Sequence, residues 1–520
     1  MNKEIVKANL VVFIASFCTL VIELVAGRIM APYVGVSLYT WTSIIGVVLA
    51  GISIGAWVGG MLADRYPSAS TLGWLLFLSG LGAFSISPLT NLIGAAHFNT
   101  TLMMRIMIIT TAIFFIPSTL LGMISPVVVK LTLSNLDKTG NIVGKIYAFS
   151  TLGSIIGTFA TGFFLISWMG TRYLLLTVGV VLVISAVVFG GAFMKKKWIG
   201  LFLAVSIPLT WAFHGYAFLA PLDEKTYYFK ESDYFTIKVK KHVRNDQDRE
   251  VEALVLDHLI HSINDVNDPS YLDYEYIRIY EEVVRWHSGR QGKPFRSLFI
   301  GGGGYTFPRF LEATYPGASM DVVEIDPEVT KAAYRFLGVP GDTKIRSFNE
   351  DGRWFVMNSR DKGSYDFIFG DAFNDISVPY HLTTLEFNRM CAQLLKPDGI
   401  LMTNLIDSFE KGLFMPAYIK TLEEVFGKGR VHLLTIRPEC RGISTCVVVA
   451  SKKDLNLDDF VRTISDNGKK SMTAHVMAAA DLQKYLQERP SFVLTDDYVP
   501  VDNLTAPIFE ERFGYRHGGR

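Results

Sequence analysis

The sequence predicts two unlike parts: a polytopic helical membrane domain, then a doubly wound, Rossmann-like α/β domain entered through a small antiparallel β-domain. Three observations carry this. The 520 residues divide sharply, residues 8–220 being overwhelmingly apolar and the rest ordinary for a soluble domain. The run Leu298-Phe299-Ile300-Gly301-Gly302-Gly303-Gly304 is followed, after a helix-length gap, by Val322-Val323-Glu324-Ile325-Asp326. That order reads as strand, glycine turn, helix and a second strand ending in an acid. Beyond it, strand-length and helix-length patterns alternate to about residue 450. The expected domains are 1–220, 221–290 and 291–520.

In the apolar part, seven stretches approach the ~20 residues that cross a bilayer: 10–27, 41–62, 71–95, 106–129, 146–167, 173–194 and 198–219. The first is too long and too closely followed by others to be a cleaved signal peptide. Gly51, Gly55 and Gly59, like Gly153 and Gly157, recur every fourth residue, the spacing that lets helices approach closely. Lys3, Lys7, Arg65, Lys130, Lys138, Lys145 and the triplet Lys195-Lys196-Lys197 lie in alternate connections, which places them in the cytoplasm. Seven crossings would then leave the α/β part outside. A nucleoside ligand belongs in the cytoplasm, so one stretch is expected not to cross. Glu23 and Arg28 lie in or just beyond the first stretch; they are either functional or paired with each other, with Arg28 able to snorkel.

The net charge of +1 and the lack of a basic stripe argue against a nucleic-acid partner. Cys18, Cys391, Cys440 and Cys446 have neither metal-ligand spacing nor a disulfide pattern. Segments 234–239 and 253–256 read as a small antiparallel sheet, followed by a helix over 274–288. Strands are expected at 297–300, 321–325, 344–347, 367–369, 400–404, 431–436 and 445–450, with helices at 307–314, 328–336, 353–358, 385–395 and 416–425. Five of the strands should be parallel and the last two antiparallel neighbours.

Ligands of such sheets sit beyond the carboxyl ends of the strands, where Glu324, Asp326, Asp351 and Asp371 fall. An acid at the tip of the second strand can accept from ribose hydroxyls, and glycines let the backbone come close. Asp351, before Gly352 at a helix start, can accept from an adenine amino group or cap the helix. Asp371 ends an apolar strand, and a carboxylate held rigidly there can stabilise cationic charge or take a proton from an amine.

These residues resemble the spermidine synthase family, the aminopropyltransferases, over roughly residues 227–450. Leu256-Asp257-His258-Leu259-Ile260-His261 is similar to the family's Leu-Asp-Gly-x-x-Gln segment, Gly301-Gly302-Gly303 to its glycine signature, and Val323-Glu324-Ile325-Asp326 to its ribose-binding strand. Asp351-Gly352 resembles the adenine-contacting pair, and Asp371 falls where the family places its catalytic aspartate. The chain departs from the pattern at Gly304, in place of an acid, at Asn374 with Asp375 displaced by one, and at Tyr274-Glu275-Tyr276, in place of Tyr-His-Glu. The apolar part, with the pattern from Asp371 through His381 to Thr384, is similar to membrane-bound bacterial members.

The resemblance implies S-adenosylmethionine or its decarboxylated form as co-substrate, methylthioadenosine as leaving group, no metal, and a homodimer in the bacterial inner membrane. Asp371 would be the base. Gly301, Gly302, Gly303, Glu324, Asp326, Asp351, Gly352 and His261 would bind the cofactor. Tyr234, Tyr274, Asn374, Asp375 and His381 would shape an amine slot for an acceptor such as putrescine, although His381 could equally cap the helix that follows. The loss of acceptor acids also motivates an acceptor-independent cleavage to methylthioadenosine and a lactone. Methyl transfer, and a polyamine transporter with a nucleoside-sensing domain, are the remaining readings.

Overall fold

The computed structural model describes residues 3–34, 37–93, 100, 102–133, 139–190, 225–244, 249–257, 259–291, 294–372, 378–438, 441–465 and 472–513. They divide into a helical unit and an α/β unit. The helical unit contains α1 (Lys3–Val34), α2 (Leu38–Arg65), α3 (Ala69–Ile93), α4 (Leu102–Gly122), α5 (Ile124–Thr132), α6 (Thr139–Ala160) and α7 (Ile166–Phe189). Among the described residues, five stretches are long and apolar enough to cross a membrane: Glu4–Ala31, Leu38–Arg65, Ala69–Ile93, Met103–Thr132 and Thr139–Phe189. The last is 51 residues long, about 75 Å if straight and more than twice the ~30 Å hydrocarbon layer. It is broken at Gly170, whose φ of 69° and ψ of 167° leave the helical region. The expected stretch 146–167 and the described part of 173–194, up to residue 189, are therefore two arms of one continuous element, and 198–219 lies outside the described residues.

The regularly spaced glycines are packing positions. A Cβ on Gly51 would sit 2.9 Å from the Ser118 Cβ, and one on Gly157 would sit 2.8 Å from the Phe17 carbonyl oxygen. Thus α2 closes on α4 and α6 on α1 at distances that a larger residue would forbid.

The α/β unit begins with a four-stranded sheet of β1 (Thr226–Glu231), β2 (Thr236–Arg244), β3 (Arg249–Leu256) and β4 (Leu259–Asn264), in that order. β3 turns into β4 through Asp257, whose φ is 54°. Two of these strands are visible as alternating segments in the sequence. β4 is not, because its pattern is interrupted by His261, Ser262 and Asn264. Helix α8 (Glu275–Gln291) leads into the main sheet.

There the elements are β5 (Arg296–Ile300), α9 (Thr306–Thr314), β6 (Ser319–Val323), α10 (Pro327–Phe336), β7 (Arg346–Phe348), α11 (Gly352–Asn358), β8 (Tyr365–Gly370), α12 (Leu385–Leu394), β9 (Leu395–Ser408), α13 (Phe414–Phe426), β10 (Val431–Thr435) and β11 (Ile443–Ser451). The order across the sheet is β7-β6-β5-β8-β9-β11-β10, with the two-residue β12 (His475–Val476) at the edge. The five strands from β7 to β9 are parallel. β11 returns between β9 and β10, antiparallel to both. The expected parallel set and terminal antiparallel pair are present, and the insertion of β11 between β9 and β10 is new.

Strand alternation divides the core. Phe299, Phe367 and Phe369 fill one face of the sheet, and Leu298, Ile300 and Ile368 fill the other. The rings of Phe299 and Phe369 stack with centroids 4.5 Å apart. Burying each such ring contributes ~2–3 kcal/mol, so the centre of the sheet is a stiff platform for what its strand tips carry.

At the amino ends of the parallel strands, Asp321 on β6 is 1% exposed. It accepts from Arg346 (2.5 and 2.6 Å), from Arg296 (2.8 Å) and from the Tyr365 hydroxyl (2.7 Å). Burial raises its pKa, but these donors outweigh burial and hold the carboxyl below its ordinary value.

Candidate active site

A cavity of about 160 Å³ opens at the carboxyl ends of β5, β8 and β9, where doubly wound sheets bind ligands. Its walls include His261 and Ser262 from β4, Tyr274 with Tyr276 and Tyr280 of α8, residues Gly301 to Gly304, and Asp371 and Asn404. The sheet dictates the loop geometry. The Asp371 N–H donates to the Ile300 carbonyl (2.9 Å) and the Gly301 N–H to the Val323 carbonyl (2.9 Å). Gly301 has φ 100°, and a Cβ there would meet the Asp371 carbonyl oxygen at 2.5 Å. Glycine is thus required both by conformation and by the close approach of the neighbouring strand tip.

Asp371 has a partner for each carboxylate oxygen. The Tyr276 hydroxyl donates to Oδ2 (3.0 Å) and the Asn404 side-chain amide to Oδ1 (3.0 Å). Burial pushes its pKa up from 3.8 to about 7, against the opposing pull of those two donors. A carboxyl that exchanges its proton near neutrality is suited to acid–base work. Replacing Tyr276 with Phe removes one donor to the charged form. The acid limb of the pH–rate profile, expected near pH 7 in the wild type, should then move up by as much as ~1 pH unit. An unmoved limb would detach Asp371 from the rate.

Glu324 is 6% exposed and lies behind the glycine loop. Its Oε2 accepts from the N–H groups of Gly302 (2.8 Å) and Gly303 (3.0 Å), and its Oε1 from that of Asp326 (3.0 Å). Burial raises its pKa and these three bonds oppose the rise. Asp326 is buried and caps α10 by accepting from the Glu328 N–H (2.9 Å). Asp351 caps α11 through the Trp354 N–H (3.0 Å), and its other oxygen lies 2.9 Å from His381 Nε2. Gly352 packs against Ile300.

Of the residues expected from sequence, the cavity brings together His261, Tyr274, Gly301, Gly302, Gly303 and Asp371. Glu324, Asp326, Asp351, Gly352 and His381 are not among its lining residues. Nor is Tyr234, which is 44% exposed. Asn374 and Asp375 lie outside the described residues. His381 does not cap the following helix: Thr384 does, accepting from the Phe387 N–H, while His381 pairs with Asp351. Tyr276, Tyr280, Ser262 and Asn404 were not assigned from sequence. A signal was available for the tyrosines, since residues 276 and 280 are four apart and so share one face of α8, where their rings meet at 5.6 Å.

The fold is thus a doubly wound α/β sheet with its cavity at the strand tips. Comparison with known proteins narrows the class: residues 280–459 match the spermine/spermidine synthase domain, and the chain carries that domain. The polyamine aminopropyltransferase of Vibrio vulnificus (strain CMCP6) is 36% identical over 162 residues, 30% of this chain and 53% of that protein. Polyamine aminopropyltransferase 2 of Aquifex aeolicus (strain VF5) is 24% identical over 465 residues, 87% of this chain and 89% of that protein. That alignment is longer than the residues after 220 can supply, so it extends into the apolar part. An N-terminal histidine N-methyltransferase of Emericella nidulans is 31% identical over 194 residues, 36% of this chain and 34% of that protein. A probable spermidine synthase from Corynebacterium glutamicum is similar in structure, with a TM-score of 0.45 and 19% identity over 52% of this chain and 96% of that one. The chain spans about half the length of the first curated relatives it matches.

Proposed function

We propose that this protein is a membrane-anchored alkyltransferase of the aminopropyltransferase kind, which takes S-adenosylmethionine or its decarboxylated form and delivers the alkyl chain to an amine such as putrescine. The observation that carries the reading is Asp371, a half-buried carboxyl at the cavity wall, beside the glycine loop, with a neutral donor on each oxygen. The relatives named polyamine aminopropyltransferase support the reaction class. The five apolar stretches support the anchor.

A sulfonium nucleoside, when bound, supplies an electrophilic carbon and a thioether leaving group. The chain's own residues then have three tasks. Asp371 takes the proton of the attacking amine, and its raised pKa lets it hold that proton near pH 7. Tyr276 and Asn404 fix the carboxylate in one orientation, which is where rate is gained when the leaving group is already good. The glycine loop and Glu324 fit a nucleoside. The loop leaves room for close backbone approach, and the Glu324 carboxylate behind it holds the loop in shape by accepting from the Gly302 and Gly303 N–H groups.

A second reading, methyl transfer to nitrogen, is favoured by the relative named N-terminal histidine N-methyltransferase. Product analysis decides between them. Detergent-purified protein is incubated with intact and with decarboxylated S-adenosylmethionine, each with and without putrescine. Methylthioadenosine that appears only with putrescine is the expected result. Methylthioadenosine without an acceptor would mean self-cleavage, and S-adenosylhomocysteine would mean methyl transfer.

A further inference from the structure

One end of the cavity is built to hold a negative charge. Helix α9 is nine residues long, and its start lines that end through Gly304, Thr306 and Phe307. The N–H groups of these three residues donate to nothing among the described residues, so the partial positive charge of the helix start opens into the cavity. Across from it is Ser262, which is 3% exposed and whose Oγ has no hydrogen-bond partner although it is fully buried. A Cβ on Gly304 would fall 1.8 Å from that oxygen. The serine hydroxyl therefore occupies the space that a side chain at position 304 would need, and no acid can stand there. Among the described lining residues the one carboxylate is Asp371, which borders Gly301 at the other end of the glycine run.

A buried hydroxyl without a partner, next to free helix-start amides and one residue beyond the Gly302 and Gly303 N–H groups that the Glu324 carboxylate already takes up, calls for an acceptor of charge −1. We infer that Ser262 and the start of α9 form a carboxylate subsite, which selects a ligand tail ending in an amino acid, and hence intact S-adenosylmethionine over its decarboxylated form. This rests on the nucleoside reading of the cavity and adds to it the identity of the tail. It also fixes the chain available for transfer as one that still carries its carboxylate.

Titration calorimetry on the detergent-purified full-length protein tests this with three ligands that cannot react. These are S-adenosylhomocysteine, its decarboxylated analogue, and methylthioadenosine, which lacks the tail. S-Adenosylhomocysteine should bind at least ~10-fold more tightly than the decarboxylated analogue, the scale of a charge-assisted hydrogen bond. Ser262→Ala should reduce that gap severalfold while leaving methylthioadenosine affinity unchanged, which also certifies that the variant is folded. If methylthioadenosine binds and the decarboxylated analogue equals or exceeds S-adenosylhomocysteine, the subsite is refuted and the nucleoside reading stands. If the gap survives Ser262→Ala, the role of Ser262 is refuted. If none of the three binds, both readings fail.

Discussion

Asp371→Asn should lower turnover by ~10²–10⁴-fold, the range over which a positioned general base acts, while nucleoside binding changes little. The amide keeps the shape of the side chain and can still meet Tyr276 and Asn404, so only proton acceptance is lost. Stability should move the other way. The folded protein raises the Asp371 pKa from 3.8 to about 7, so the native state prefers the protonated form. The cost of this group is therefore absent below about pH 4 and is incurred as the pH rises toward and past 7. At pH 8 the variant should melt at or above the wild-type temperature, and at pH 4 the two should coincide. Mass spectrometry of the released nucleoside and thermal unfolding at the two pH values check this. A variant that is slow and also less stable at pH 8 would assign Asp371 a structural role.

Asp321→Ala should be among the most destabilising single changes in the α/β unit. It leaves Arg296 and the Tyr365 hydroxyl without their buried acceptor, and breaking such a site costs ~3–5 kcal/mol. Because Arg296 keeps a second partner in Asp361 at 2.7 Å and Arg346 is half exposed, the lower end, ~3 kcal/mol, is expected. At ~2–4 °C per kcal/mol for a unit of this size, the midpoint should fall by about 10 °C. The folded-state pKa of Asp321 is lowered, so its contribution is present above the ordinary carboxylate value and is lost as the pH falls below it. The gap between wild type and variant should therefore narrow in acid. Because the change lies at the amino ends of the strands, nucleoside affinity measured well below the midpoint should be unaltered.

What sequence could say about this protein depended on whether the relevant contact was local. The glycine run, the acid-tipped strand after it and the five parallel strands were legible, because apolar runs of strand length and turn glycines are properties of neighbouring residues. Asp371 was legible because it ends such a run. Its partners were not: Tyr276 is 95 positions away and Asn404 is 33, and their meeting is a product of strand order. β4 escaped notice because His261 and Ser262, which line the cavity, disturb the apolar alternation that marks a strand. Asp326 and Asp351 show a different limit. Both stand at strand tips, as a ligand site requires, and both cap the helix that follows, so one position satisfies two readings that sequence cannot separate. Of the expected amine slot, Tyr274 lines the cavity, Tyr234 is exposed at the surface, and Asn374 and Asp375 lie outside the described residues.

The charged cluster around Asp321 ties together the starts of four adjacent parallel strands, through Arg296, Asp321, Arg346 and Tyr365, while the cavity draws on where strands finish. Mechanical integrity and ligand choice are consequently encoded at opposite poles of the sheet. Side chains at the finishing pole can therefore be exchanged without loosening the bolts at the starting pole.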